Sequence, residues 1–258
     1  MITSTQNPKI KELLLLQKKA SERNQRGIFV AEGTKIVKEA DPNSVVTYFV
    51  SENCDDLKTF EDLAEKGVGL EIVSSSVFNS ISTQKTPQGV IAVIRKKTWT
   101  IEDIISAGDP LIVLLENVQD PGNVGTIFRT AEAAGATGLL LTDGCADPYG
   151  PKTVRSTMGS LFRVPFIYGG SAADYLKRLR EAGIRSYSLS LDASIPYDTA
   201  DLSSPAAILV GNEGNGLLSE TVSLSDHNIH IPMYGSVESL NAAIAASVVL
   251  YEASRQRR

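Results

Sequence analysis

Cysteine is nearly absent: Cys54 and Cys145 are the only two in 258 residues, and they stand far apart. They form neither a disulfide framework nor a cysteine metal site, and such usage fits a reducing cytoplasm. Histidine is as scarce, with His227 and His230 in HNIH. On a strand that spacing points the rings to opposite faces, so no metal site is expected. No apolar run approaches the ~18 residues of a membrane helix, and the longest, Ala242–Leu250, is broken by Ser247. No membrane partner is therefore expected. The amino terminus, MITSTQNPKIKELLLLQ, has no basic region followed by a cleavable apolar core, so no signal peptide is read. G-x-S-x-G is missing, which argues against a nucleophile-elbow hydrolase. So are the P-loop and G-x-G-x-x-G, which weakens the ATPase and dinucleotide readings.

What remains is the composition of a globular chain, 42% apolar and 21% charged, long enough for one large or two ordinary domains. A net charge of −5 argues against a blanket nucleic-acid binder, but the charge is uneven. Residues 1–38 carry eight Lys and Arg against three Asp and Glu, whereas 98–258 carry 11 against 18. A basic amino-terminal segment on an acidic body suggests a local polyanion contact. A lysine-rich solvated helix face is the plainer alternative.

Periodicity divides the chain. Helices are expected over 9–20, 33–40, 55–66 and 74–80, alternating with strands at 27–31, 44–50, 70–73 and 90–95. These suggest a small α/β domain over 1–97 with a largely parallel sheet. Residues 98–110 read as a linker. From 111 to 258 the alternation resumes, with helices over 123–134, 153–161, 172–182 and 239–255. The runs LIVLL and AAILV suit parallel strands covered on both faces.

Three stretches of the second domain end such strands. ENVQDPGNVGTIFRTAEAAG (116–135) turns from strand to helix, and Asn123 is placed to cap that helix. By itself this is either a ligand site at a helix start or ordinary turn chemistry. LVGNEGNGL (209–217) spaces its glycines as G-x-x-G-x-G around Glu213, whose charge suits a cationic or hydroxyl-bearing ligand better than phosphate. IPMYGSVESLN (231–241) puts Ser239 and Asn241 where they either start the last helix or line a pocket. All three loops fall at what would be the carboxyl edge of one sheet, where open α/β sheets bind ligands.

In this order, NVGTIFRTA (123–131), GNEGNGL (211–217) and IPMYGSVESLN (231–241) resemble the motifs of the SpoU (TrmH-like) family of RNA 2′-O-ribose methyltransferases, within the SPOUT superfamily. KTVRSTMGSLFRVP (152–165) is similar to that family as well, and the likeness runs from about 111 to the end. The segment QNPKIKELLLLQKKASERNQRGIFVAEGTKIVKEA resembles the substrate-binding domain often fused to these enzymes, which is similar to small RNA-binding ribosomal proteins.

The resemblance implies a deep trefoil knot in the catalytic domain and a homodimer through it, with the apolar face of 242–251 in the interface. It implies S-adenosylmethionine as cofactor, contacted by Gly211, Ile231 and Leu240. It assigns Arg129 as the principal catalytic residue, with Asn123, Glu213, Ser239 and Asn241 around it. Its partner is RNA, ribosomal RNA ahead of transfer RNA, and not DNA. The rivals are a non-catalytic, ribosome-associated RNA-binding protein of the same fold and a small-molecule transferase with the same pocket.

Overall fold

Residues 1–65, 67–191 and 194–258 are described by a computed structural model. The first elements are α1 (Pro8–Lys18), α2 (Ala20–Arg26), β1 (Ile28–Glu32), α3 (Thr34–Glu39), β2 (Val45–Ser51), α4 (Leu57–Ala64), β3 (Gly69–Val73), α5 (Ser75–Ile81) and β4 (Val90–Arg95). There follow α6 (Ile101–Ile105), β5 (Leu111–Leu115), α7 (Pro121–Ala134), β6 (Gly138–Leu141), α8 (Pro151–Thr157), α9 (Ser160–Arg163), β7 (Phe166–Tyr168) and α10 (Ala172–Glu181). The chain ends with β8 (Arg185–Leu189), β9 (Ile195–Pro196), β10 (Ala206–Val210), α11 (Ser219–Leu224), β11 (His227–His230) and α12 (Ala242–Gln256). The end of the helix expected over 55–66 lies at Lys66, outside the described residues.

The chain forms two compact units, one of Met1–Thr98 with Tyr149–Phe162, the other of Trp99–Pro148 with Arg163–Arg258. In the first unit α1 starts where Asn7 Oδ1 accepts from Lys9 N at 2.9 Å and Pro8 fixes the first turn. Its Ile10, Leu13 and Leu16 pack against Val30, Phe49, Phe78 and Ile91. The sheet has the order β1-β4-β2-β3. It is mixed, not largely parallel: β4 runs antiparallel to both β1 and β2, and only β2 and β3 are parallel. The buried run VIAVI of β4 reports that the strand is central, and burial does not encode direction.

Two boundaries also differ from the sequence reading. Tyr149–Phe162 falls within the span expected to be the catalytic domain, yet it packs with the first unit. Phe29 of β1 meets the Tyr149 and Phe162 rings at 4.9 and 6.2 Å, and Tyr149 donates to Lys97 O at 3.2 Å. Residues 98–110, expected as a linker, carry α6 from Thr100, whose hydroxyl and Asp103 make a reciprocal cap. Ile104 of α6 is fully buried in the core of the second unit. A five-residue helix with one core residue leaves too little periodicity to be read in advance.

The second unit holds a sheet of order β7-β6-β5-β10-β8-β11-β9, with every described pairing parallel. LIVLL and AAILV are β5 and β10, side by side at its centre and wholly buried. After β5 the chain moves outward to β6; after β10 it crosses to β11 on the other side. The connections part above β5 and β10, which opens a crevice at their carboxyl ends. Helix α12 lies against α7, where Thr130 and Ser247 hydroxyls meet at 3.1 Å. Ala243, Ala246, Val249 and Leu250 are buried on α12, and Val124, Ile127, Phe128 and Ala131 on α7.

Candidate functional site

The loop after β5 enters α7 through Asp120, whose Oδ1 accepts from Asn123 N at 2.9 Å. Asp120 is therefore the cap, and Asn123 sits inside the first turn with its side chain free for other work. Proline at the first helical position puts the cap at Asp120, two residues before DPGN's glycine and three before its asparagine. Asn123 Nδ2 donates to Glu213 Oε1 at 2.8 Å, and Asn123 Oδ1 accepts from Asn241 Nδ2 at 3.0 Å. Asn241 itself caps α12, its Oδ1 accepting from Ala243 N at 2.9 Å and Ile244 N at 3.3 Å. One chain of amides and a carboxylate thus joins all three loops.

Glu213 is tied further by Asp120 N to Oε1 at 3.2 Å and Gln119 N to Oε2 at 3.3 Å. Burial pushes its carboxyl up, but the Asn123 amide and the backbone N–H groups of Glu213, Asp120 and Gln119 outweigh that and hold it below the usual range. The loop carrying it is closed on itself. Asn212 and Gly216 exchange backbone hydrogen bonds at 2.9 Å, and Asn212 Oδ1 accepts from Gly214 N and Asn215 N at 2.9 and 3.1 Å. Gly211 is required by this closure, because a Cβ there would lie 2.2 Å from Gly216 C and Leu217 N.

Beside these loops lies a cavity of about 670 Å³, within the ~300–1,000 Å³ usual for small-ligand sites. Gly211, Glu213, Ile231, Ser239 and Leu240 line it. Asn123 adjoins it through its bond to Glu213, and Asn241 through its bond to Asn123, and neither is among its lining residues. Ser239 lies outside α12, three residues before its first turn, and does not start that helix. The six residues from Asn123 to Arg129 turn about 240° around a helix. Arg129 is exposed, lines no part of this cavity, and has no hydrogen bond or ion pair among the described residues.

The cavity wall has Glu213 and Glu238 and, among the described residues, no Lys or Arg. Apolar side chains such as Val210, Leu217, Ile229 and Ile231 supply much of the rest. Such a lining disfavours a phosphate-bearing cofactor and suits a nucleoside with a cationic centre and hydroxyls seeking acceptors. The residues present therefore fit S-adenosylmethionine. Two residues here were not singled out from the sequence: Asp120, the actual cap, and Glu116, which directly follows β5 and is 3% exposed. The available signal for Glu116 was an acidic residue directly after an apolar strand.

Fold and cavity define an α/β protein that binds a nucleoside-like ligand at the switch point of a parallel sheet. Residues 110–251 match the SpoU rRNA Methylase family, and residues 7–92 match the MRM3-like substrate binding domain. The chain belongs to the SpoU rRNA methylase family. It is 35% identical over 252 residues to the 23S rRNA (guanosine(2553)-2′-O)-methyltransferase RlmP of Bacillus subtilis strain 168, covering 97% of each chain. It is 39% identical over 178 residues to the 23S rRNA (uridine(2479)-2′-O)-methyltransferase of Streptomyces viridochromogenes, covering 67% of this chain and 62% of that one. Among solved structures, the AdoMet-bound rRNA methyltransferase from Sinorhizobium meliloti matches with a TM-score of 0.89 at 32% identity, covering 98% of this chain and 97% of the other. The SpoU methyltransferase AviRb from Streptomyces viridochromogenes, in complex with AdoMet, matches at 0.85 and 31%, covering 97% and 99%.

Proposed function

We propose that the chain methylates ribose 2′-oxygens of RNA, ribosomal RNA ahead of transfer RNA, with S-adenosylmethionine as methyl donor. The observation that carries this is the cavity at the β5–β10 switch point, with no Lys or Arg among its described lining residues, joined to the Glu213–Asn123–Asn241 cluster, in a chain of this family. S-adenosylmethionine, when bound, supplies an electrophilic methyl group. Gly211, Ile231 and Leu240 would hold it, largely through close backbone and apolar contact. Glu213 serves as a brace rather than a base, since its oxygens already accept three donors and its carboxyl is held below the usual range.

Arg129 is the catalytic residue in this reading. A guanidinium is a poor base but a good partner for an RNA phosphate and for charge developing on the attacking oxygen. Its exposure and freedom from partners among the described residues leave it available to a second molecule. Asn123, Asn241 and Ser239 orient the ribose or that guanidinium.

In the same reading residues 1–97 bind RNA and 111–258 form the catalytic domain with a trefoil knot. Two such chains pair through α12, where Ile244 and Tyr251 remain 51% and 52% exposed with Val248 half-buried between them. Two cysteines without a disulfide fit a cytoplasmic setting.

The test is incubation with labelled S-adenosylmethionine and ribosomal RNA, followed by nucleoside analysis. A 2′-O-methylnucleoside is expected. Arg129→Ala should lose ~10²–10³ in turnover with cofactor affinity unchanged, and Arg129→Lys should recover little because an ammonium lacks the planar fork. Cofactor binding without methyl transfer to any RNA would overturn the enzymatic reading.

A further inference from the structure

Glu116 lies at the carboxyl end of β5 and is almost wholly buried, yet nothing in the reaction above uses it. Its backbone N–H completes the β5–β10 ladder by donating to Val210 O at 2.9 Å. Its side chain then reaches past the glycine loop of β10. Oε2 accepts from Leu218 N at 2.8 Å, and Oε1 accepts from the hydroxyl of Thr221 at 2.5 Å. Leu218 is the residue before α11 and its own side chain offers no acceptor; its backbone N–H is taken instead by Glu116, which follows β5.

The next residue repeats the attachment. Asn117 adopts a left-handed conformation, φ +55°, rare for a residue with a side chain. In that conformation its carbonyl accepts from Asn212 Nδ2 at 2.9 Å. Residues 116 and 117 therefore fasten the loop 211–218 at both of its ends. Glu213, from inside that loop, fastens the 119–123 turn in return. Neighbouring parallel strands each lend a carboxyl to the loop that follows the other.

We infer that Glu116 is a positioning residue of the cofactor site, which holds the loop from Gly211 to Leu218 in the shape that forms the cavity wall and presents Glu213. This rests on the reading of that cavity as the S-adenosylmethionine site. Loss of the Glu116 carboxyl leaves a backbone N–H and a buried hydroxyl without acceptors, and the loop between them loses its distal attachment. A residue that merely stabilised the fold would lower the melting temperature without altering the affinity of the folded protein for cofactor.

The experiment is calorimetric titration of S-adenosylmethionine into the full chain, well below the unfolding temperature, with thermal unfolding recorded for each variant. Glu116→Ala should raise the Kd about tenfold or more, with a parallel rise in KM for cofactor. Glu116→Gln should stay within about threefold of wild type, because its amide oxygen can accept from Leu218 and its amide nitrogen can donate to the Thr221 hydroxyl. Thr221→Val should fall between. Leu179→Ala, a core truncation on α10 that lines no part of the cavity, should destabilise yet leave Kd unchanged.

An unchanged Kd for folded Glu116→Ala overturns the inference, as does an equal rise for Leu179→Ala. Should Glu116→Ala not fold, an unchanged Kd for Thr221→Val overturns it instead. Failure of the wild-type chain to bind S-adenosylmethionine would sink the proposed function itself.

Discussion

Replacing Asn123 by aspartate would put a second carboxyl against Glu213 while keeping size and shape. The amide nitrogen it replaces lies 2.8 Å from Glu213 Oε1, and the retained oxygen can still accept from Asn241. Two unit charges about 4 Å apart repel by ~4 kcal/mol at an effective dielectric near 20. Glu213 is solvent-accessible, and screening reduces that to about 1 kcal/mol. Loss of the charge-assisted hydrogen bond adds ~1.5–3 kcal/mol, so Asn123→Asp should cost roughly 2–4 kcal/mol at neutral pH. In a chain of this size that is a fall of about 4–16 °C in melting temperature.

The pH dependence separates charge from lost contact. In the wild type Glu213 has its carboxyl held below the usual range. Its contribution is present above the unfolded pKa and disappears as pH falls through the folded one. In Asn123→Asp two carboxyls share the site, so one is held above its unfolded value of ~4. Stability of that pair is full at low pH and lost as pH rises through the raised value. The difference in melting temperature between wild type and Asn123→Asp should therefore widen from about pH 4.5 to 8, measured by differential scanning calorimetry. Asn123→Ala, which removes the donor without adding charge, should narrow its difference as pH falls. A gap for Asn123→Asp that does not widen with pH would refute the reasoning.

Gly211→Ala should abolish measurable S-adenosylmethionine binding in a folded chain, because the added methyl would meet the backbone of Gly216 and Leu217 at 2.2 Å; retained binding by calorimetry would contradict the tight closure. The paired change Ile244→Glu and Tyr251→Glu should give monomers by light scattering with the fold intact by circular dichroism, since both side chains are about half exposed on α12; a dimer mass that persists would move the interface elsewhere. Lys11→Glu, Lys18→Glu and Lys19→Glu together alter three exposed lysines near α1. They should weaken RNA binding and flatten its salt dependence by roughly one unit of slope per lost phosphate contact, with cofactor affinity unchanged; an unaltered slope would exclude this face.

Which segments become strands and helices was largely legible along the chain, because hydrophobic periodicity and turn-forming residues are local signals. LIVLL and AAILV had to lie inside a sheet, and GNEGNGL had to be a loop. The family likeness rested on motif order and so brought Asn123, Glu213 and Asn241 to one site before any geometry was known. Strand direction was not legible: VIAVI reads alike whether its neighbours run parallel or not, and only the pairing with β1 and β2 made the first sheet mixed. Nor was the company kept by Tyr149–Phe162, which depends on Phe29 of a strand more than a hundred residues earlier. The roles of single polar residues were also decided in three dimensions. Asp120 rather than Asn123 caps α7, which frees the Asn123 amide to join Glu213 to Asn241. Glu116 has donors a hundred residues away, at Leu218 and Thr221. A hydrogen bond between distant loops leaves no periodic trace in sequence, because it depends on which strands become neighbours.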